Sequence, residues 1–261
     1  MLTAADGAEL PMRIWLPPNQ QKPKAVILAV HGFNDYSNAF DMPGRWWAKH
    51  GIATYAYDQR GFGEGPNPGY WAGTETMDQD LGEAARLLTA RHPDVPIYYL
   101  GESMGAAVVM TALARGAAPP LAGAILVAPA GWSRSYMPFY QRWALWIVGH
   151  TAPWMRFSGR GLGIQASDNV AMLRALGRDP LIIKETRTDT VKGLVDLMDD
   201  GMSAMAQLHG PALVQIGAKD QVVPVKPQWA AVETRPEPDR QRIAFYRNGW
   251  HMLLRDHEAE L

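Results

Sequence analysis

Ile97-Tyr98-Tyr99-Leu100-Gly101-Glu102-Ser103-Met104-Gly105-Ala106-Ala107-Val108-Val109-Met110 is the stretch on which the fold turns. Its first four residues are aliphatic or aromatic without interruption, which predicts a strand buried on both faces. From Met104 a run of small and apolar residues continues to Arg115, with Gly116 behind it as a stop, and predicts a helix. The junction Gly101-Glu102-Ser103-Met104-Gly105 fits G-x-S-x-G. A strand that bends straight into a helix leaves little room beside the bend. Glycines on both sides provide that room, and the serine hydroxyl is then raised above the strand's carboxyl end.

Moving outward, the same rhythm repeats. Asp6-Gly7 is a hairpin turn signal, and Arg13–Leu16 reads as its return strand. Lys24–Val30, Ile52–Tyr57, Ala124–Val127, Ala212–Ile216 and Ile243–Tyr246 are further apolar strand candidates. Ala39–His50 reads as a helix stopped by Gly51, and Thr76-x-x-Gln79 has the form of a capping box opening a helix to about Arg91. Strands alternating with helices predict an α/β domain with a mostly parallel central sheet and helices on both faces.

Residues 131–207 break the alternation. They hold no convincing strand but many aromatics: Trp132, Tyr136, Phe139, Tyr140, Trp143, Trp146, Trp154 and Phe157. The expected organisation is therefore a core of residues 1–130 and 208–261, with a helical cap inserted at 131–207. Most of the cap aromatics are expected to pack the cap onto the core, with only a few touching a ligand. Pro138, Gln141, Arg142, His150, Pro153 and Arg156 interrupt any apolar run long enough to cross a bilayer.

A serine hydroxyl attacks poorly at neutral pH unless a positioned base takes its proton. In an arrangement built on G-x-S-x-G the partners follow in the order acid, then histidine. Asp220 stands after the run to Ile216 and the loop Gly217-Ala218-Lys219; His251 stands after the Ile243–Tyr246 strand and Asn248-Gly249. Both fall beyond strand carboxyl ends, where ligands and reactive groups collect in open parallel sheets. Ser103, Asp220 and His251 are the candidate catalytic residues. Acyl transfer also needs backbone N–H donors for the developing oxyanion. Met104, directly after the serine, and Phe33, in the His31-Gly32-Phe33 loop, are the candidates. His31 itself is read as organising that loop.

These motifs carry a resemblance. His31-Gly32-Phe33-Asn34-Asp35-Tyr36-Ser37, Asp58-Gln59-Arg60-Gly61-Phe62-Gly63, the Ser103 turn with Met after it, Asp179-Pro180-Leu181, Gly217-Ala218-Lys219-Asp220 and His251-Met252-Leu253-Leu254 occur in one order across the chain. Together they resemble the monoacylglycerol lipase and lysophospholipase branch of the α/β-hydrolases, the serine aminopeptidase S33 type. The resemblance implies the α/β-hydrolase fold, the Ser103–Asp220–His251 triad, amide donors at Phe33 and Met104, a helical lid, hydrolysis of carboxylic esters through an acyl-enzyme, and no cofactor. Two positions depart from it: Ala106 replaces a second glycine, and Glu102 stands where the family often has histidine.

Composition removes other classes. The 261 residues are 47% hydrophobic and 20% charged, enough apolar material for one large core. A formal net charge of −1 offers no general attraction to nucleic acid. The absence of cysteine excludes disulfides, thiolate metal sites and a cysteine nucleophile. No histidine spacing points to a metal, and neither glycine-rich run, 60–65 or 159–163, has dinucleotide-binding spacing before a helix. The opening MLTAADGAEL has neither the basic region nor the apolar stretch of a secretion leader, and the compartment stays open. The expected partner is a small ester or lipid, with transient contact between the cap and a lipid surface and no obligate protein partner. Two other readings stay open: an aminopeptidase or amidase of the same fold, and a non-catalytic ligand-binding protein. Dehalogenases and epoxide hydrolases of similar fold carry Asp at the bend, which Ser103 disfavours.

Overall fold

Uninterrupted apolar runs can be satisfied only where both faces of a sheet are covered, and the chain places them there. A computed structural model describes residues 1–159, 161 and 163–259. Its first strands, β1 (Leu2–Thr3) and β2 (Glu9–Leu10), form a small antiparallel hairpin around Asp6-Gly7. The strands β3 (Met12–Trp15), β4 (Ala25–Val30), β5 (Ile52–Tyr57), β6 (Ile97–Glu102), β7 (Gly123–Val127), β10 (Ala212–Gly217) and β11 (Gln241–Tyr246) make one sheet of seven in the order β11-β10-β7-β6-β4-β5-β3. All neighbours are parallel except β3, which runs antiparallel to β5 at the edge. The Arg13–Leu16 expectation thus needs correcting. That segment is a strand, but β2 is the hairpin's return, and β3 joins the main sheet through Met12↔Tyr57 and its neighbours.

Helices α1 (Asp41–Lys49), α2 (Thr74–Arg91), α3 (Met104–Ala114) and α7 (Val225–Glu233) connect the strands. One face of the sheet is sealed by Met77, Leu81 and Leu88 of α2 and by nearly the whole length of α3, against Val26, Leu28 and Tyr99. On the other face a smaller cluster joins Ile27, Ala29, Phe40 and Leu100 to Leu253. The Thr76 capping box does not form. Helix α2 starts at Thr74 with Gly73 as its N-cap at φ 94°, and no side chain caps it. The Gly73 carbonyl instead accepts from Met77 N–H at 3.1 Å.

Between β7 and β10 lie α4 (Phe139–Thr151), the two-residue strands β8 (Arg156–Phe157) and β9 (Thr186–Arg187), α5 (Val170–Arg178) and α6 (Thr188–Met205). The short β8–β9 pair is a strand element that alternation alone did not predict. Helix α6 ties this region to the core, with Val195, Leu197, Met198, Ala204 and Met205 buried in the main cluster. The aromatics behave otherwise than expected. Trp132 packs against the core, but Phe139 (74% exposed), Tyr140, Trp143 (62%), Trp146 (57%), Trp154 and Phe157 face outward. These exposed rings are not part of the buried core. Arg134, ahead of α4, pairs with Asp196 and Asp199 of α6.

The chain passes from β4 to β5 on one side, then crosses back through α2 to β6 on the other side of β4. The loops leaving β4 and β6 therefore diverge at their carboxyl ends and open a crevice between them. His31-Gly32-Phe33 and Ser103 stand at the mouth of that crevice.

Candidate active site

The bend after β6 is strained as its sequence requires. Ser103 has φ 56° and ψ −116°, a left-handed backbone that a non-glycine residue holds only when its surroundings enforce it. They do so through bonds from Ser103 N–H to the Val127 carbonyl (2.9 Å) and to the Ser103 carbonyl from Ala106 (3.0 Å) and Ala130 (3.2 Å). A Cβ at Gly101 would lie 2.4 Å from the Gly105 carbonyl oxygen, and one at Gly105 would lie 2.1 Å from the Val30 carbonyl oxygen. Neither position has space for a methyl group.

The loop after β4 comes close to this bend. A Cβ on Gly32 would stand 3.4 Å from Ser103 Cβ. His31 is fully buried; its Nε2 accepts from Gln59 N–H (3.0 Å), which leaves Nδ1–H to donate to the Gly32 carbonyl (2.9 Å). Burial lowers the His31 pKa and keeps the ring neutral. Asp58 supports the same loop by accepting from Ser37 N–H at 2.9 Å and from Glu64 N–H at 2.9 Å. The histidine thus organises the loop. The N–H groups of Phe33 and Met104 donate to no backbone carbonyl among the described residues.

Asp220 and His251 meet at the end of β10 and β11. His251 Nδ1 lies 2.8 Å from Asp220 Oδ2, and both residues are buried. The carboxylate is held on both oxygens. Oδ1 accepts from Val222 N–H (2.8 Å) and Val223 N–H (2.9 Å), and Oδ2 also accepts from Gln228 Nε2 (3.0 Å). The histidine loop is pinned in turn, with Trp250 N–H donating to Asp256 (2.8 Å) and Lys219 N–H to the Gly249 carbonyl (2.9 Å).

Ser103, Phe33 and His251 all line one cavity of about 420 Å³, within the usual range for small-molecule sites. Much of its lining is apolar, including Met137, Val191, Leu194, Val195, Met198 and Val223. Three of its charged residues belong to one cluster. Arg255 donates to Asp35 at 2.8 Å and to Glu102 at 2.9 Å, all three side chains being buried. Burial pushes the Glu102 pKa up, opposed by the Arg255 charge, while the two acids keep Arg255 protonated despite its burial. Neither Gln228 nor Arg255 was singled out from sequence. Gln228 sits in an ordinary helix with no motif to mark it. Glu102 was visible as a departure, and an arginine closing the apolar run Met252-Leu253-Leu254 was the remaining signal.

The segment holding Asp179-Pro180-Leu181 reaches the same loop. Tyr36 donates to Asp179 Oδ2 (2.7 Å), Asn34 Nδ2 to Thr186 Oγ1 (2.7 Å), and Ile183 N–H to the Asn34 carbonyl (3.1 Å). Residues 179–186 are thereby hydrogen-bonded to the loop that carries Phe33.

A mostly parallel sheet, a strained serine between strand and helix, and an acid–histidine pair at the ends of the last two strands define an α/β-hydrolase fold. Known proteins agree. The model of the family described as "Serine aminopeptidase, S33" matches residues 21–258, and the chain belongs to that family. A monoacylglycerol lipase of Mycolicibacterium smegmatis is 22% identical, covering 98% of this chain and 90% of that protein. A monoglyceride lipase of Rattus norvegicus is 24% identical, covering 98% and 84%. Among solved structures, a monoglyceride lipase variant from Saccharomyces cerevisiae, in complex with a substrate analogue, superposes with a TM-score of 0.79 at 18% identity, covering 97% of this chain and 87% of that one. The Paleococcus ferrophilus monoacylglycerol lipase gives 0.74 at 18% identity, covering 97% and 94%.

Proposed function

We propose that the chain is a carboxylic-ester hydrolase of monoacylglycerol lipase or lysophospholipase type, working through an acyl-enzyme on Ser103. One observation carries the reading: a strained serine opens into an apolar cavity whose wall includes a histidine already bonded to a buried aspartate. In the first step Ser103 Oγ attacks the ester carbonyl as its proton passes to His251 Nε2. Asp220, accepting from Nδ1–H, orients the ring and stabilises the imidazolium. The Phe33 and Met104 amides hold the oxyanion. The alcohol leaves with the proton from His251; water then attacks the acyl-enzyme by the same route and releases the acid.

The apolar wall supports an acyl chain as the group bound there, in keeping with the names of the lipase relatives. An aminopeptidase would need a site for a free amine, and Asp35 and Glu102, acids in the lining, are both paired with Arg255. Residues 131–207 are proposed as the cap that shapes this cavity. A p-nitrophenyl ester series from acetate to palmitate, alongside monoacylglycerols, tests the assignment. Rates are expected to peak at medium chain length, with monoacylglycerol turned over. Activity confined to acetate and butyrate, or peptide cleavage without ester cleavage, would refute it.

The outward aromatics of α4 support transient lipid-surface contact, since Trp and Tyr favour the bilayer interface. Replacing Trp143 and Trp146 together by serine is expected to lower hydrolysis of vesicle-borne substrate about tenfold. Turnover of a water-soluble short ester should stay within a factor of two. Equal loss on both substrates would remove the surface role.

A further inference from the structure

Arg255 takes no part in the steps above, yet it ties together three of the segments that perform them. Its guanidinium is buried in the cavity lining, with Nη1–H donating to Asp35 Oδ2 (2.8 Å) and Nη2–H to Glu102 Oε2 (2.9 Å). Asp35 lies two residues past Phe33 in the loop after β4. Glu102 is the residue before Ser103, at the end of β6. Arg255 itself follows His251 on the strand-end loop of β11.

One cation therefore joins the segment carrying the Phe33 amide, the bend carrying Ser103 and the Met104 amide, and the segment carrying His251. Two of the arms are fixed at their own ends, while Glu102 Oε1 has no partner among the described residues, so Arg255 is what holds that carboxylate. Asp35 Oδ1 accepts from Tyr36 N–H (2.8 Å), and the Arg255 backbone carbonyl accepts from Asn169 Nδ2 (3.0 Å). A planar guanidinium holds two acceptors in a set geometry, which an ammonium on a flexible stem does not. A buried ionic cluster is weak evidence for stability, because desolvation offsets its attraction, so its presence here calls for another reason.

We infer that Arg255 is a positioning residue that sets the separation between the Phe33 and Met104 amides, and so the fit of the oxyanion between them. The inference rests on the reading of Ser103 as nucleophile and of these two amides as its oxyanion donors. Removing one donor of an oxyanion site costs about 10²- to 10³-fold in kcat. A displaced donor retains part of that contribution, and the ground-state ester, which does not use it fully, is bound as before.

The test compares wild type with Arg255→Met, Arg255→Lys and Glu102→Gln on p-nitrophenyl butyrate. It also measures inhibition by an alkyl boronic acid, whose boron bonds to Ser103 Oγ as the serine proton passes to His251, giving a tetrahedral anion. Arg255→Met is expected to lower kcat by about 30- to 300-fold with KM within threefold. Boronic-acid affinity should fall by the same factor as kcat/KM. Arg255→Lys should recover only part of the loss. Glu102→Gln keeps its volume and leaves Arg255 paired with Asp35; it should cost about tenfold in kcat, and it carries the same test if Arg255→Met does not fold.

A folded variant with kcat within threefold of wild type would overturn the role. So would a loss confined to KM, which would instead make Arg255 a substrate-binding group, or a boronic-acid affinity that does not follow kcat/KM. Labelling separates this from failure of the underlying reading. If a fluorophosphonate modifies Ser103 in every variant while kcat is unchanged, only the Arg255 role falls. If Ser103 is not labelled in the wild type, the nucleophile assignment falls first.

Discussion

Replacing Ser103 by alanine is expected to lower ester turnover by about 10⁵-fold without unfolding the protein. Loss of a serine nucleophile removes the covalent route as a whole, because base and acid have nothing left to activate. A residue of catalysis above water should persist, since the Phe33 and Met104 amides and the cavity would still bind the ester. The backbone at this position is held at φ 56° by bonds to its own N–H and carbonyl, and alanine keeps the same Cβ, so the strain and the fold are unaltered. Burst-phase release of p-nitrophenol should disappear along with fluorophosphonate labelling, while the melting temperature stays close to wild type. A mutant that keeps more than about one hundredth of wild-type turnover would show that another group attacks the ester.

The position of Ser103 was legible because its neighbours leave no alternative. Gly101 and Gly105 are required by backbone atoms within 2.4 Å of where a Cβ would stand, and the apolar runs on either side are long enough to be seen without tertiary information. Ile52–Tyr57 and Ala124–Val127 were readable on the same ground, as runs buried on both faces. Short-range signals proved weaker where the surroundings competed. Thr76 has a capping-box spacing, yet the helix begins earlier at Thr74, because the Gly73 carbonyl already accepts from Met77. The Asp6-Gly7 turn was correct, but its partner strand is only two residues long, too short to stand out from the β3 segment behind it.

Aromatic content misled for a different reason. Burial is the usual fate of tryptophan, and nothing in the composition of residues 139–157 shows which way α4 faces. Orientation follows from the contact of α4 with α6 and from the Arg134 ion pairs, which are relations between residues far apart in the sequence. The supports of the site share this property. Gln228 bonds to Asp220 from eight residues away on a helix, and Arg255 reaches Asp35 across most of the chain. Candidate reactive groups can be picked out by motif and order, whereas the groups that hold them in place are selected by geometry and leave little local trace.

The Asp220 pocket makes the second large expectation specific. Asp220→Asn should lower kcat by about 10⁴-fold while leaving the loop in place. The asparagine carbonyl oxygen will take the Oδ1 position, because Val222 and Val223 both present N–H groups there and an NH₂ would face two donors. Its amide nitrogen must then occupy the Oδ2 position, between Gln228 Nε2 and His251 Nδ1. A donor there requires an acceptor at Nδ1, so the imidazole adopts the tautomer with its proton on Nε2, the nitrogen needed to take the proton from Ser103. The ring is also left without a carboxylate to stabilise its charged form. Gln228→Leu provides the contrast: it removes one hydrogen bond to Oδ2 but keeps the carboxylate and the tautomer, so its loss should be about tenfold. Rates for both variants across pH, together with the imidazole proton resonances, separate the two effects. An Asp220→Asn enzyme with kcat within tenfold of wild type would mean that His251 does not depend on Asp220 for its tautomer, and the acid would have to be sought elsewhere in the cavity.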